Sequence, residues 1–366
     1  MAQLLSDIAR IDPNLAVKTT LSEKDIVFCD VTRAPFDLYG LMTCEQGFCR
    51  LPTEVAERTS DGVLRLHRNS AGGRVRFCTD SRYVAVRVSL GDVHRMSHMT
   101  MACSAGVDLY VDDEVTSTSR HYRTFFPPYD ADGQYESILY FPTRKPRYIT
   151  LHLPLYSSLD GFEIGLQADA TVDHGLAYRP IPPVVYYGSS ITQGGCASRP
   201  GCAYTNVVSR RTGIDHVNLG FSGNAKGESA IVDYMAGLTM SAFVCDYDHN
   251  APSVDHLRAT HEPLYRAIRA AHPDIPYIMM TRPDFDGDRA NSALRRDVVY
   301  ETYRRALSEG DRNVYFIDGE RLLSGPYLDM ATVDGCHPTD LGFALMADAV
   351  TDVLTRALSV SNVSYQ

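Results

Sequence analysis

Two rhythms of apolar positions divide the chain. From residue 21 to about 174, apolar and polar side chains alternate over short runs. Examples are Arg74-Val75-Arg76-Phe77, Tyr83-Val84-Ala85-Val86-Arg87-Val88, Val107-Asp108-Leu109-Tyr110-Val111 and Arg147-Tyr148-Ile149-Thr150-Leu151-His152-Leu153. Residues 135–141 and 161–166 read the same way, and turn residues such as Ser70-Ala71-Gly72-Gly73 and Asp112-Asp113 separate the runs. A period of two buries one face of a strand and leaves the other polar. Many short strands between turn signals predict a β-sandwich of jelly-roll kind. Residues 1 to about 20 read as a short leading helix and a turn.

The rhythm changes after Arg179-Pro180-Ile181-Pro182-Pro183, a stiff extended connector. Apolar runs of strand length then alternate with helical patterns. Strands are predicted at 184–187, 216–219, 241–245, 277–280 and 314–317. Helices are predicted at 204–212, 228–238, 253–271, 289–310 and 339–358. Such alternation specifies a three-layer α/β/α domain, flavodoxin-like, around a mostly parallel sheet. The chain therefore divides into an N-terminal sandwich, residues 1–178, and an α/β domain, residues 179–366.

In a domain of this kind the site lies beyond the carboxyl ends of the strands, and those ends carry chemistry. The first leads into Gly188-Ser189-Ser190-Ile191-Thr192, the second into Gly220-Phe221-Ser222-Gly223-Asn224, and the third into Asp246-Tyr247-Asp248-His249-Asn250. The fourth leads into Thr281-Arg282-Pro283-Asp284, and Asp334-Gly335-Cys336-His337-Pro338 precedes the last helix. A serine hydroxyl needs a base within hydrogen-bond reach, and the base needs its other nitrogen held. One curled loop presents Asp334 and His337 together, with Nε2 left for Ser190. Ser190, just inside a helix N-terminus, places developing charge near unpaired amides. The Ser190 N–H, the Gly223 N–H and the Asn250 side-chain amide could then form an oxyanion hole. Taken singly, the serine turn is an ordinary strand-to-helix cap, the Asp-x-x-His pair a turn, and Gly223 and Asn250 turn residues. Their position at the strand ends of one sheet is what argues for catalysis.

Competing chemistries are weaker. The Gly188 turn lacks the Gly-Lys-Ser/Thr ending of a phosphate loop and is not a Gly-x-Ser-x-Gly elbow. Asp246, Asp248, His249 and His256 match no strong metal-ligand spacing, so no metal and no cofactor are expected. Cys196 and Cys202, which flank the serine loop, could form a disulfide or bind a metal, but read better as ordinary rim or buried thiols. Tyr187, Arg282 and Asp284 are candidates for a substrate rim; the plainer readings are a core position for Tyr187 and a surface salt bridge for Arg282 and Asp284. His94, His98, Met99 and Phe125-Phe126-Pro127-Pro128-Tyr129 read as a domain interface that could border the mouth.

Composition narrows the partners. The 366 residues carry a formal net charge of -10, which argues against general nucleic-acid binding. No apolar run is long enough to span a bilayer, and the first residues lack the basic and apolar regions of a secretory leader. With nine scattered cysteines, a cytoplasmic location is expected. There are 22 Tyr and 13 Phe but no Trp, so any sugar-stacking surface has to use Tyr or Phe.

These motifs together resemble the SGNH (GDSL-like) hydrolase superfamily. Gly188-Ser189-Ser190-Ile191-Thr192 is similar to that family's Gly-Asp-Ser-Ile-Thr block, with Ser189 in place of its aspartate. Gly223 falls on the second-block oxyanion glycine and Asn250 on the third-block asparagine, here in a variant Asp-Tyr-Asp-His-Asn loop. Asp334 and His337 fall on the last-block Asp-x-x-His-Pro. The resemblance covers roughly residues 182–360. The serine at 189 resembles a carbohydrate-esterase-like subfamily with an N-terminal β-sandwich. It implies hydrolysis of short acyl, often acetyl, esters of a carbohydrate or small glycoconjugate through an acyl-enzyme. Ser190 would be nucleophile, His337 base and Asp334 its orienter, with Ser190, Gly223 and Asn250 around the oxyanion. An acyltransferase and a non-catalytic carbohydrate-binding protein are the alternatives. The expected partner is a small-molecule or carbohydrate ester, with no nucleic acid or membrane, and a homo-oligomer is left open.

Overall fold

The computed structural model describes residues 21–326 and 328–359. The leading helix expected within residues 1–20 lies outside them. The first half forms two antiparallel sheets. One orders Ile26–Asp30, Ser157–Gln167, Tyr83–Val93 and Gln134–Tyr140. The other orders Val172–His174, Arg74–Thr79, Arg147–His152, Val107–Asp112 and Ser119–Phe125, and Asp37–Tyr39 pairs with Arg74–Thr79 as well. The alternation seen in the sequence points Val75 and Phe77, Val84, Val86 and Val88, and Ile149 and Leu151 into one core between the sheets. The half is a β-sandwich.

The second half is a five-stranded parallel sheet. Its strands are Val184–Gly188, His216–Gly220, Ala242–Asp246, Tyr277–Met280 and Val314–Ile317, in spatial order 2-1-3-4-5. Side-chain parity separates its two faces. Val185, Tyr187, Phe243, Cys245 and Met279 pack under the helices Ser229–Ala236, Val254–Ala271 and Arg289–Ser308. Val184, Tyr186, Val244, Ile278 and Met280 pack under Tyr204–Thr212 and Asp340–Ala357. The direction of winding reverses beside the first strand, which is where such sheets open a crevice for a ligand. The domain is the expected three-layer α/β/α arrangement. No helix among the described residues is long and apolar enough to cross a membrane.

The two halves are joined more closely than the change of rhythm suggests. Residues read as strand territory include the helices Thr53–Thr59 and Asp61–Leu66. Their Ala56, Val63 and Leu66 belong to the same core as Val185 and Leu219. Two arginines of the first half close the open edge of the parallel sheet. On the edge strand His216–Gly220, alternate carbonyls face away from the neighbouring strand. Arg50 donates to two of them, Asn218 O at 3.2 Å and Gly220 O at 2.6 Å, and to Leu66 O at 2.8 Å. Arg74, with its side chain fully buried, donates to the third, His216 O at 3.1 Å, and pairs with Asp215. A bare strand edge invites pairing with another chain; here guanidinium groups occupy it.

Candidate active site

The first strand ends at Gly188 and turns at once into a single helical turn, Ser190–Gln193. Ser189 caps that turn, its Oγ accepting from the Ile191 N–H at 3.1 Å. Only glycine fits at 188, because a Cβ there would lie 2.0 Å from Thr192 Oγ1 and 2.4 Å from the Asp246 carbonyl oxygen. Below the turn, Asp246 accepts from Thr192 Oγ1 at 2.9 Å and from the Tyr204 hydroxyl at 3.2 Å. Burial raises the Asp246 carboxyl to about 7, with Asp248 adding to the effect.

Ser190 Oγ stands 2.9 Å from His337 Nε2, and His337 Nδ1 stands 2.8 Å from Asp334 Oδ2. The other oxygen of Asp334 accepts the backbone N–H groups of Cys336 at 3.0 Å and His337 at 2.7 Å. The spacing of three residues therefore works because the acid holds its own loop in a curl. Burial opposes ionisation of Asp334, but these donors outweigh it and hold the carboxyl at about 2. His337 is raised to about 9, first by the Cys336 thiol, against burial, and then by Asp334. Cys336 is also 3.1 Å from His249 Nε2, and His249 is 3.2 Å from Asp284. Burial works against the charge on His249, yet Asp284 and Cys336 raise it to about 10.

The second strand end supplies Gly223 in the left-handed region, φ +70°, where an added Cβ would meet nothing within 4 Å. No hydrogen bond reaches the N–H of Gly223 or of Ser190 among the described residues. Asn250 donates one amide hydrogen to Phe221 O at 2.8 Å, which ties it to the Gly223 loop and leaves its second hydrogen to act elsewhere. The structure thus brings Ser190, His337 and Asp334 into one hydrogen-bonded line, and ties the Gly223 loop to the serine turn through Phe221 N–H to Gly188 O at 2.9 Å and Ser222 N–H to Gln193 Oε1 at 3.0 Å.

The rim expected from the sequence changes. Tyr187 is no rim residue: strand parity turns it into the helix-covered core, fully buried, where its hydroxyl accepts the Gly227 N–H at 2.9 Å. Arg282 and Asp284 are spent on each other, Nε to Oδ1 at 2.8 Å, while Asp284 also holds His249 and the Arg282 N–H bonds Asp248 at 3.1 Å. They brace the His249–Cys336 side of the histidine loop. The four residues weighed as a metal site disperse: Asp246 and Asp248 turn to the contacts above, and His256 Nε2 is 2.8 Å from Lys226 O. All nine cysteines are free thiols.

The sandwich reaches the site. The Tyr156 hydroxyl donates to Ser190 O at 3.2 Å, and the His98 ring lies 5.6 Å from the His337 ring, centre to centre. Gln193 is buried and donates to Leu155 O at 3.1 Å while accepting the Ser222 N–H at 3.0 Å. Tyr156, Gln193 and Arg50 went unnoticed in the sequence, as did the pairing of His249 with Asp284. The partners are distant along the chain.

A Ser190–His337–Asp334 line at the switch point of a parallel 2-1-3-4-5 sheet is the arrangement of an SGNH-type carboxylic ester hydrolase. Family comparison agrees for both halves: residues 182–355 match the GDSL-like Lipase/Acylhydrolase family, and residues 26–172 match the N-terminus of the SGNH-hydrolase-type esterases. The chain belongs to the SGNH hydrolases. It is similar to a protein of Bacteroides ovatus assigned as a GDSL-like lipase, with 28% identity over 92% of this chain and 99% of that one, TM-score 0.82. It shares its fold with a salicylyl-acyltransferase from a tetracycline biosynthetic pathway, at 21% identity over 93% of this chain and 100% of the other, TM-score 0.74. It also shares it with an acetyl xylan esterase from the rumen bacterium Butyrivibrio proteoclasticus, at 13% identity over 91% and 99%, TM-score 0.57. No curated protein matches the chain.

Proposed function

We propose that this esterase removes short acyl groups, acetyl first among them, from a carbohydrate or small glycoconjugate through an acyl-enzyme on Ser190. The observation that carries the proposal is the unbroken line from Ser190 Oγ to His337 Nε2 at 2.9 Å and from Nδ1 to Asp334 at 2.8 Å. In the first step Ser190 Oγ attacks the ester carbonyl carbon and its proton passes to His337 Nε2. The carbonyl oxygen becomes an oxyanion that takes the Ser190 and Gly223 N–H groups and the second Asn250 hydrogen. Collapse breaks the bond to the alcohol oxygen, which leaves with the proton from His337. Water then attacks the acyl carbon, gives its proton to His337, and releases the carboxylic acid and Ser190. Asp334 holds Nδ1–H throughout, fixing the tautomer that this sequence needs.

The fold shared with an acetyl xylan esterase supports the acetyl and carbohydrate parts of the reading. The fold shared with a salicylyl-acyltransferase favours a second one, in which an alcohol replaces water in the last step. Both use the same acyl-enzyme. The test is a panel of acetylated sugars and longer acyl esters, with mass spectrometry of the trapped enzyme and product analysis with and without competing alcohols. Ser190→Ala and His337→Ala should each lose on the order of 10³-fold or more in kcat. Wild-type rates in either variant would overturn the assignment, and product found only as transferred ester would move it to the second reading. In a cell, the enzyme is proposed to act in the cytoplasm.

A further inference from the structure

A cluster of nitrogen and sulfur donors stands at the mouth of the site. His98 comes from the loop before the helix Met101–Ala105, Cys196 from the loop after the serine turn, and His337 from the last loop. One ligand atom from each lies within 4.8 Å of the others. His98 is exposed and Cys196 is buried, so the cluster runs from solvent to the floor of the site.

Three features fit a metal ion better than chance proximity. The donor set of two imidazoles and one thiol suits a soft or borderline divalent ion, above all zinc, and offers magnesium or calcium no oxygen. The spacing fits as well. Zinc holds imidazole nitrogens at about 2.0–2.1 Å, which puts two ring centres about 5 Å apart in a tetrahedral site; here they are 5.6 Å apart, so a small rotation suffices. Finally, Asp334 already binds Nδ1 of His337 at 2.8 Å. That is the carboxylate–histidine pairing which fixes a metal-binding imidazole with its other nitrogen outward.

We propose that His98, Cys196 and His337 form an inhibitory zinc site across the mouth of the esterase, with a fourth position open to water. Binding displaces the Cys196 thiol proton and the proton that His337 carries on Nε2, and coordinates the Nε2 lone pair so freed. That lone pair is the one Ser190 needs for its proton, so the bound enzyme cannot activate its nucleophile. The inhibitory half of the proposal rests on His337 being the catalytic base; the binding half does not. A second cluster, His249, Asp284 and Cys336, lies deeper, and its side chains already bond one another.

The test uses the full chain after chelator treatment and dialysis. Zinc binding is followed by calorimetry, and cobalt binding by the visible absorption of a tetrahedral thiolate-bound ion, so that binding is read apart from turnover. Wild type should bind one equivalent and lose esterase activity in parallel, with recovery on adding chelator. His98→Ala, measured against its own zinc-free rate, should require at least about tenfold more zinc for half-inhibition, and Cys196→Ser should lose the cobalt–thiolate band. Absence of binding, or equal affinity in wild type, His98→Ala and Cys196→Ser, overturns the site. Loss of binding in Cys336→Ser with His98→Ala unaffected also overturns it, by moving the ion to the deeper cluster. Stoichiometric binding at the three residues without loss of turnover would keep the metal site and overturn the role of His337.

Discussion

Replacing Arg50 with methionine should weaken the fold and slow the enzyme together. The guanidinium bonds Asn218 O, Gly220 O and Leu66 O, lies 4.6 Å above the Phe221 ring, and is 2% exposed. It has no carboxylate partner among the described residues, and burial pulls its pKa down from the usual arginine value. Methionine keeps the apolar stem and removes every donor. Leu66 O keeps the Asn69 N–H at 3.0 Å, so two carbonyls are stranded, at about 1–3 kcal/mol each and about 2–6 kcal/mol together. Removing the buried charge returns desolvation energy that offsets part of this cost, which leaves a net loss of about 1–3 kcal/mol. At about 2 °C per kcal/mol for a chain of this size, Tm should fall by about 2–6 °C. The catalytic effect follows from position, since Gly220 lies three residues before Gly223. A shift of about 1 Å in an oxyanion donor costs about 10²-fold, so kcat should fall by about 10–100-fold with KM little changed. Thermal unfolding and initial rates on a chromogenic acetyl ester measure both. Arg50→Lys, a single ammonium that cannot fork to three carbonyls, should fall between the two. An unmoved Tm in Arg50→Met would refute the edge-capping argument, and a normal kcat in a destabilised variant would separate the sheet edge from the oxyanion loop.

Other outcomes follow from the same contacts. Asp246 is raised to about 7 in the fold against about 3.9 in an unfolded chain. Its contribution to stability is therefore full below about pH 4 and is lost as pH rises through about 7. Asp246→Asn should remove this dependence, so urea midpoints of wild type and variant should separate in the variant's favour between these limits, by at most about 4 kcal/mol; parallel curves would contradict the burial argument. Gly223→Ala meets no neighbour but must hold φ +70°. It should cost about 1–2 kcal/mol in denaturant melts and reduce kcat if the loop relaxes to avoid that strain. Gly188→Ala, with its Cβ 2.0 Å from Thr192 Oγ1, should yield little folded protein by circular dichroism and gel filtration. Asp334→Asn should keep the fold and lower kcat by about 10²–10⁴-fold, because the wrong imidazole tautomer is then favoured.

The parallel sheet was legible because strands buried on both faces read as unbroken apolar runs. Residues 277–280 and 314–317 appear with the bounds expected of them. The sandwich was legible through its period of two. What escaped depends on contacts distant in sequence or on parity. Tyr187 adjoins the serine turn, yet a strand sends successive side chains to opposite faces, and Tyr187 falls on the covered one. Arg282 and Asp284 do follow a strand end, but a bend at Pro283 turns them onto each other as a salt bridge, the plainer of the two readings open to them. The helices Thr53–Thr59 and Asp61–Leu66 were hidden in a half whose overall rhythm is β, and they are short. Arg50 and Arg74 look like ordinary polar positions until the sheet edge, 141 to 170 residues on, is in place.

Gln193 bears on how this enzyme can move. One amide side chain, buried at the end of the Ser190 helical turn, grips the sandwich at Leu155 and the Gly223 loop at Ser222. Tyr156 adds a second strut from the sandwich to the carbonyl of Ser190. A hinge between the halves would break both at the instant the nucleophile and the oxyanion donors must hold still. Substrate capture by closing one half over the other is therefore incompatible with catalysis here. Adaptation to different esters has to come from the loops at the rim, such as the one carrying His98, moving over a floor that stays fixed. Turnover in this molecule should then follow chemistry and loop exchange, with no contribution from opening and closing of domains.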